Sequence, residues 1–205
     1  MISLWSLIII AVCLLFFFGV NLHNVLRYHR RSTAETAKPE VEEPHGFTVG
    51  LVALGTGAFF LESLVYIVFG VLGHRASLWA AFDLAVHSDF LEVAGASVMA
   101  TGYAIFIWSV LVRGQYATSW DMPEKQRLVD WGPYGHVRHP SYLGYFLMFA
   151  GFFIISHNLL AIVPFIAIPG YLRVAFQEEE MLLKRFGEEY GKYVRETKRL
   201  IPLVY

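Results

Sequence analysis

One stretch, Gly132-Pro133-Tyr134-Gly135-His136-Val137-Arg138-His139-Pro140-Ser141-Tyr142, sets two imidazoles, a guanidinium and two phenols between a polar linker and a strongly apolar run. Groups of this kind are costly to desolvate at the edge of an apolar segment, so their density points to a site rather than a core. Pro140 suits the first turn of a helix, where its missing N–H is no loss. Arg138 and His139 then lie beside the exposed N–H groups of that helix start, where an anion or electron-rich group can be held. From these residues alone a second reading stays open: Arg138 reaches lipid phosphates while Tyr134 and Tyr142 line the interface as an aromatic belt.

A second polar group follows an apolar run. Arg173 precedes Glu178-Glu179-Glu180. Acids at a helix start complement its dipole without any ligand. Arg173 and Glu178 do not share one face of an ideal helix, so their convergence needs a bend or widened turn around Ala175–Gln177. Glu188 and Glu189 read as solvated. Two further acids, Glu62 and Glu92, fall inside apolar runs. A lipid-facing carboxylate is expensive, so each should face the bundle interior or be protonated. Glu62 lies deeper and is a candidate substrate contact, whereas Glu92 sits near a helix end. Met99 and Trp108 read as packing.

The elements that must position these groups are apolar. Of 205 residues 56% are hydrophobic and 16% charged, and the apolar ones gather into long runs. That pattern fits a membrane protein better than a soluble core. Five runs predict transmembrane helices over about 2–26, 47–72, 89–112, 139–156 and 159–176, in an all-α polytopic fold of one domain, 1–205. The first run lacks a basic start and a clear cleavage site, and reads as a retained span rather than a signal peptide. The last two runs, separated by His157-Asn158, predict a tight antiparallel hairpin whose second arm Pro164 and Pro169 interrupt. Leu182, Phe186, Tyr190 and Val194, with a Glu180–Lys184 pair, predict an amphipathic C-terminal helix from Glu178 onward, ending before Pro202. Residues 27–46 read as an exposed connector, and Trp79, Phe82 and Val86 as a short interfacial helix.

Basic residues flank the runs unevenly. Arg27, Arg30, Arg31 and Lys38 follow the first, Arg113, Lys125, Arg127 and Arg138 lie between the third and fourth, and seven close the chain, against Arg75 alone between the second and third. This bias predicts a cytoplasmic C-terminal helix and an outside N-terminus. A net charge of −1 offers nothing to nucleic acid, and the single cysteine, Cys13, permits neither an intrachain disulfide nor a thiolate zinc site. Membrane lipids are the expected surroundings.

Leu128-Val129, Gly132-Pro133-Tyr134 and Val137-Arg138-His139-Pro140-Ser141-Tyr142 resemble the isoprenylcysteine carboxyl methyltransferase family. So do Arg173, Glu178-Glu179-Glu180, Leu183, Phe186-Gly187-Glu188-Glu189-Tyr190, Tyr193 and Leu200-Ile201-Pro202. The resemblance covers about 113–205, and the five-span layout is most similar to small prokaryotic members, which places the chain in a prokaryotic cell membrane. It implies S-adenosylmethionine as methyl donor, with Tyr134, His136, Arg138, His139, Pro140, Tyr142, Glu178 and Glu179 binding it. It further implies that Arg173 lies at the reacting carboxylate and that Trp120 contacts substrate. The implied reaction is methylation of a carboxylate on a membrane-associated, prenylcysteine-like lipid. Methylation of a phospholipid amine or a small thiol, and a non-catalytic interaction protein, remain alternatives. One departure matters: Val174–Gln177 supplies four residues between arginine and acid where the family has three. Either a bulge restores convergence or Gln177 replaces the first acid.

Overall fold

The computed structural model describes residues 4–32, 46–73, 81–86, 88–114 and 127–201. Trp120, Trp79 and Pro202, and most of the connector after the first helix, lie outside the described residues. The apolar runs become helices: α1 Leu4–Ser32, α2 Gly46–Leu72, α3 Asp89–Arg113, α4 Pro140–Ser156 and α5 Ala167–Phe186, with a 3-10 stretch Leu159–Ile166 leading into α5 and a short α6 Glu188–Glu196 after it. The chain is an all-α polytopic membrane protein. Among the described residues four segments are long and apolar enough to cross a membrane, Leu4–Leu26, Gly46–Leu72, Asp89–Arg113 and Leu159–Phe186. The fourth expected span, α4, has 17 residues, roughly 26 Å of helix against a hydrocarbon layer of about 30 Å. Length and composition therefore single out four spans where five were expected.

Helix packing follows from where side chains are smallest. Gly95 and Gly102 of α3 face Gly151 and Gly144 of α4 so closely that a Cβ on Gly151 would collide with the Met99 nitrogen, and one on Gly102 would lie 2.7 Å from the Gly144 carbonyl. The two helices run antiparallel, backbone against backbone, and form the most extensive pair in the fold. Around this seam Met99, Tyr103, Met148, Phe149 and Phe152 are buried with Phe59 of α2. Met99 is thus core, as expected, whereas Trp108 is exposed. Antiparallel contacts also join α1 to α2, with Phe17 on Phe60 and Leu7 against Gly70. Leu15, Phe16, Leu61, Leu64 and Leu111 cover the outer surface, apolar as a lipid-facing surface must be.

The expected hairpin holds only at its turn. His157 adopts a left-handed conformation, and the buried Asn158 side chain accepts the Leu160 N–H at 2.9 Å. The loop before α3 covers this turn, Asp83 bridging to Asn158, and no helix runs through 83–86. Beyond the turn the second arm leaves α4 and packs chiefly on α2, Gly170 lying against Val52 and the Thr48 carbonyl. The prolines explain the geometry differently from an interrupted span. Pro164 sits inside the 3-10 stretch, where its missing N–H removes one hydrogen bond as expected, whereas Pro169 falls in the first turn of α5, where its missing N–H is no loss.

The junction with the tail also differs from expectation. α5 continues unbroken through Ala175–Gln177 to Phe186, so the widened turn is absent and the tail helix does not begin at Glu178. The break comes at Gly187, whose φ of 54° with ψ of −120° is open only to glycine. α6 then folds back along α5, burying Tyr190 and Tyr193.

Candidate active site

Pro140 starts α4 and is fully buried, which places Arg138 and His139 immediately before its first turn. A second strand of chain holds them there. The Arg138 N–H donates to the Lys198 carbonyl at 2.8 Å and the His139 N–H to the Arg199 carbonyl at 3.0 Å. The motif and the C-terminal segment are thus stitched together through a parallel bridge between Val137 and Lys198. Tyr134 anchors the same region: it is buried, and its carbonyl accepts the Tyr193 hydroxyl at 2.8 Å.

Glu178 and Glu179 of α5 point into this junction. Glu179 Oε1 accepts from Arg138 Nε at 2.9 Å and from Arg199 Nε at 3.0 Å, and lies 3.2 Å from His139 Nε2. Its Oε2 accepts from Arg199 Nη2 at 2.7 Å. Glu178 Oε1 accepts the Tyr142 hydroxyl at 2.8 Å, and its Oε2 lies 3.3 Å from His139 Nδ1. Arg138 spends its remaining reach on the Thr197 and Val194 carbonyls, at 2.6 and 3.4 Å. His139 is buried, at 6% exposed, and the Glu179 side chain is largely so, at 12%.

A carboxylate beside each ring nitrogen of His139 leaves only the imidazolium able to satisfy both contacts, because a neutral imidazole has a single N–H. Burial works against that charge, but the hydrogen bonds and negative charge of Glu178 and Glu179 outweigh it and hold the pKa above the ordinary imidazole value. Around the Glu178 and Glu179 carboxylates stand Arg138, His139 and Arg199, with Arg113 near enough to act on Tyr142. Opposed charges this well buried are strongly coupled, and removal of one member leaves the others uncompensated.

Rings continue inward from the cluster. His139 stacks on Tyr142 with planes 4° apart, Tyr142 contacts Tyr171 of α5 at 4.9 Å, and Tyr171 stacks on Tyr145 at 5.1 Å. Thr56 of α2 hydrogen-bonds the Tyr171 hydroxyl at 2.9 Å. An aromatic path therefore leads from the ion pairs toward the apolar interior.

Of the residues singled out in sequence, the structure gathers Tyr134, Arg138, His139, Pro140, Tyr142, Glu178 and Glu179 in one place. It leaves others out. The His136 side chain is exposed, only its carbonyl meeting the tail. Arg173 is exposed on α5, about 140° around an ideal helix from Glu178, and the unbroken helix never brings it round. Gln177 stays outside the cluster that Glu178 and Glu179 both join, its Oε1 buried with no partner among the described residues. Glu62 is half-buried in α2 with Oε2 unpartnered among the described residues. It lies about 9 Å along the helix from Thr56.

Three residues at the site escaped sequence reasoning. Arg199 grips Glu179, yet read only as one more basic residue of the tail. Arg113 ends α3 with Nε buried and unpartnered among the described residues, and its charge acts on Tyr142 and Tyr145. Its place at the end of an apolar run was the available signal. Tyr190 is buried with its hydroxyl unpartnered among the described residues, and it interacts electrostatically with Glu178, Glu179, Arg138 and Arg199.

Fold and site together define a polytopic, helical membrane protein whose C-terminal half carries a largely buried cluster of opposed charges. Residues 91–189, which contain most of that centre, match the phospholipid methyltransferase family model. The chain is 39% identical over 74 residues to methanethiol S-methyltransferase of Crocosphaera subtropica, covering 35% of this chain and 28% of that protein. It is 32% identical over 79 residues to protein-S-isoprenylcysteine O-methyltransferase of Schizosaccharomyces pombe, covering 38% and 34%. The matched stretches thus span about a third of these relatives or less. The solved structure of the eukaryotic intramembrane Ras methyltransferase, isoprenylcysteine carboxyl methyltransferase, aligns with a TM-score of 0.50 at 24% identity over 80% of this chain and 55% of that one. This likeness speaks for the fold. In this half the chain is similar in sequence to methyltransferases named for different acceptors.

Proposed function

We propose that the chain is an S-adenosylmethionine-dependent methyltransferase that methylates a carboxylate on a membrane-associated, prenylcysteine-like lipid. The observation that carries this reading is the convergence of Arg138-His139 with Glu178-Glu179 at one end of the bundle, within the segment that matches methyltransferases. The residues present fit such a donor. Glu178 accepts two contacts and keeps lone pairs for an ammonium group. The unpartnered Arg113 Nε and Tyr190 hydroxyl are donors suited to carboxylates. The His139 and Tyr142 rings supply flat surfaces for an adenine or a sulfonium. When bound, the donor supplies a sulfonium methyl, which leaves its sulfur as the acceptor oxygen attacks.

The protein's own work is then alignment and exclusion of water. An acceptor carboxylate needs no base, so the chain has only to orient it without binding so tightly that the oxygen loses nucleophilicity. Arg113 is better placed for this than Arg173, which lies on the outer face of α5. The aromatic path past Tyr142, Tyr171 and Tyr145 suits an apolar tail, with Glu62 and Trp120 as further substrate contacts. In this reading the whole chain is one integral-membrane domain. α4 serves as a fifth span, the C-terminal segment lies in the cytoplasm, the N-terminus outside, and the membrane is that of a prokaryotic cell.

A small thiol is the second reading, favoured by the higher identity to the methanethiol enzyme; a phospholipid amine is favoured by the family description. Purified protein supplied with labelled donor and, in parallel, prenylcysteine, small thiols and phosphatidylethanolamine decides among them. Label in the prenylcysteine methyl ester is expected. Label only in thioether or N-methyl lipid replaces the carboxylate reading, and label in none of them refutes methyl transfer.

A further inference from the structure

We propose that Arg199 is a positioning residue: it locks Glu179 against His139 and so keeps the motif before α4 in register with α5, without touching a ligand itself. The argument is a closed circuit of contacts. The Arg199 side chain grips both Glu179 oxygens, at 3.0 and 2.7 Å. Glu179 reaches the His139 ring, and the His139 N–H returns to the Arg199 carbonyl at 3.0 Å. One tail residue therefore holds the motif by its backbone and α5 by its side chain. The guanidinium is itself seated, its central carbon 3.9 Å above the Phe176 ring, one turn of α5 before Glu179. A planar fork braced on a ring fixes direction as well as charge, which lysine cannot do. Glu179 Oε2 takes its hydrogen bond from Arg199, so loss of the fork leaves that carboxylate steered from Oε1 alone.

Position and charge alone predict opposite results. Were Arg199 merely a nearby cation, its removal would strengthen the hold of Glu179 on His139 and raise the imidazole midpoint. If it positions Glu179, removal lets the carboxylate turn away and the midpoint falls. Among the described residues, Glu178 and Glu179 of α5 and the ring of Tyr142 of α4 meet the His139 ring, Arg138 of its own segment, Tyr190 of α6 and Arg199 of the tail act on Glu179, and Arg113 of α3 and Tyr171 of α5 act on Tyr142.

The test is an NMR titration of the His139 imidazole in the full chain in detergent, without ligand, assigned by comparison with His139→Gln. In Arg199→Gln the midpoint should fall by about half a unit to one unit, with Arg199→Lys between it and the wild type. An unchanged or raised midpoint in Arg199→Gln overturns the proposal. Should that variant not fold, Phe176→Leu, at a half-exposed position, removes the seat alone. It should lower the midpoint by less, and no fall there is equally fatal. The methyltransferase reading enters only through the catalytic consequence: KM for S-adenosylmethionine should rise about tenfold in Arg199→Gln while kcat stays within about threefold. A lowered midpoint in a chain that transfers no methyl group would leave the positioning role standing and remove that reading.

Discussion

Glu179 is the residue on which the other charges of the site depend, because Arg138, His139 and Arg199 all meet its carboxylate. Glu179→Gln removes the carboxylate that Arg138, His139 and Arg199 share and leaves Glu178 on His139 alone, and chemical unfolding in detergent should show a loss of about 3 kcal/mol or more. A loss below about 1 kcal/mol would mean the ion pairs are dispensable to the fold. His139 makes a separate, pH-dependent contribution. Its folded pKa lies above the unfolded value, so its imidazolium stabilises the protein fully below about pH 6.5, and that stabilisation disappears as pH rises through the higher folded value. Melting temperature should therefore fall further between about pH 6 and pH 9 in the wild type than in His139→Gln. Parallel curves would contradict the imidazolium. The dense turn at Gly132–Tyr142 announced this site because polar groups seldom crowd a helix entrance without purpose. Arg199 did not, since its role arises from a bridge between residues 137 and 198 that no local pattern encodes.

The helices owe their placement to the seam between α3 and α4. Gly151→Leu drives a side chain into the Met99 backbone, so the helices must separate or the fold must rearrange. A loss of about 1–3 kcal/mol is expected, read as a lower unfolding midpoint, and wild-type stability would contradict the close approach. The long apolar runs of α2 and α3 were legible within a residue or so because length and composition leave few alternatives. The continuity of α5 was not. Composition turns polar at Gln177 and suggested an ending there, yet a helix can leave an apolar layer without a break in its backbone. Gly187 ends it instead, for a conformational reason that hydropathy does not carry. That continuity also explains Arg173: an unbroken helix turns it away from the acids, and the bend once needed to unite them does not exist.

Across the molecule, antiparallel packing gathers the end of α3, the start of α4 and the polar end of α5 on one side of an apolar bundle. In the proposed reading one centre there meets a polar donor from water and an apolar acceptor from lipid. Every functional statement above depends on that centre binding S-adenosylmethionine. Calorimetric titration of the donor into the purified, detergent-solubilised chain and into folded Glu178→Gln tests this most directly. The account predicts saturable one-to-one binding by the wild type and at least about tenfold weaker binding by the variant, which loses a charge-assisted hydrogen bond to the donor's ammonium group. Absence of binding to the folded wild type, or equal affinity in both proteins, would contradict it.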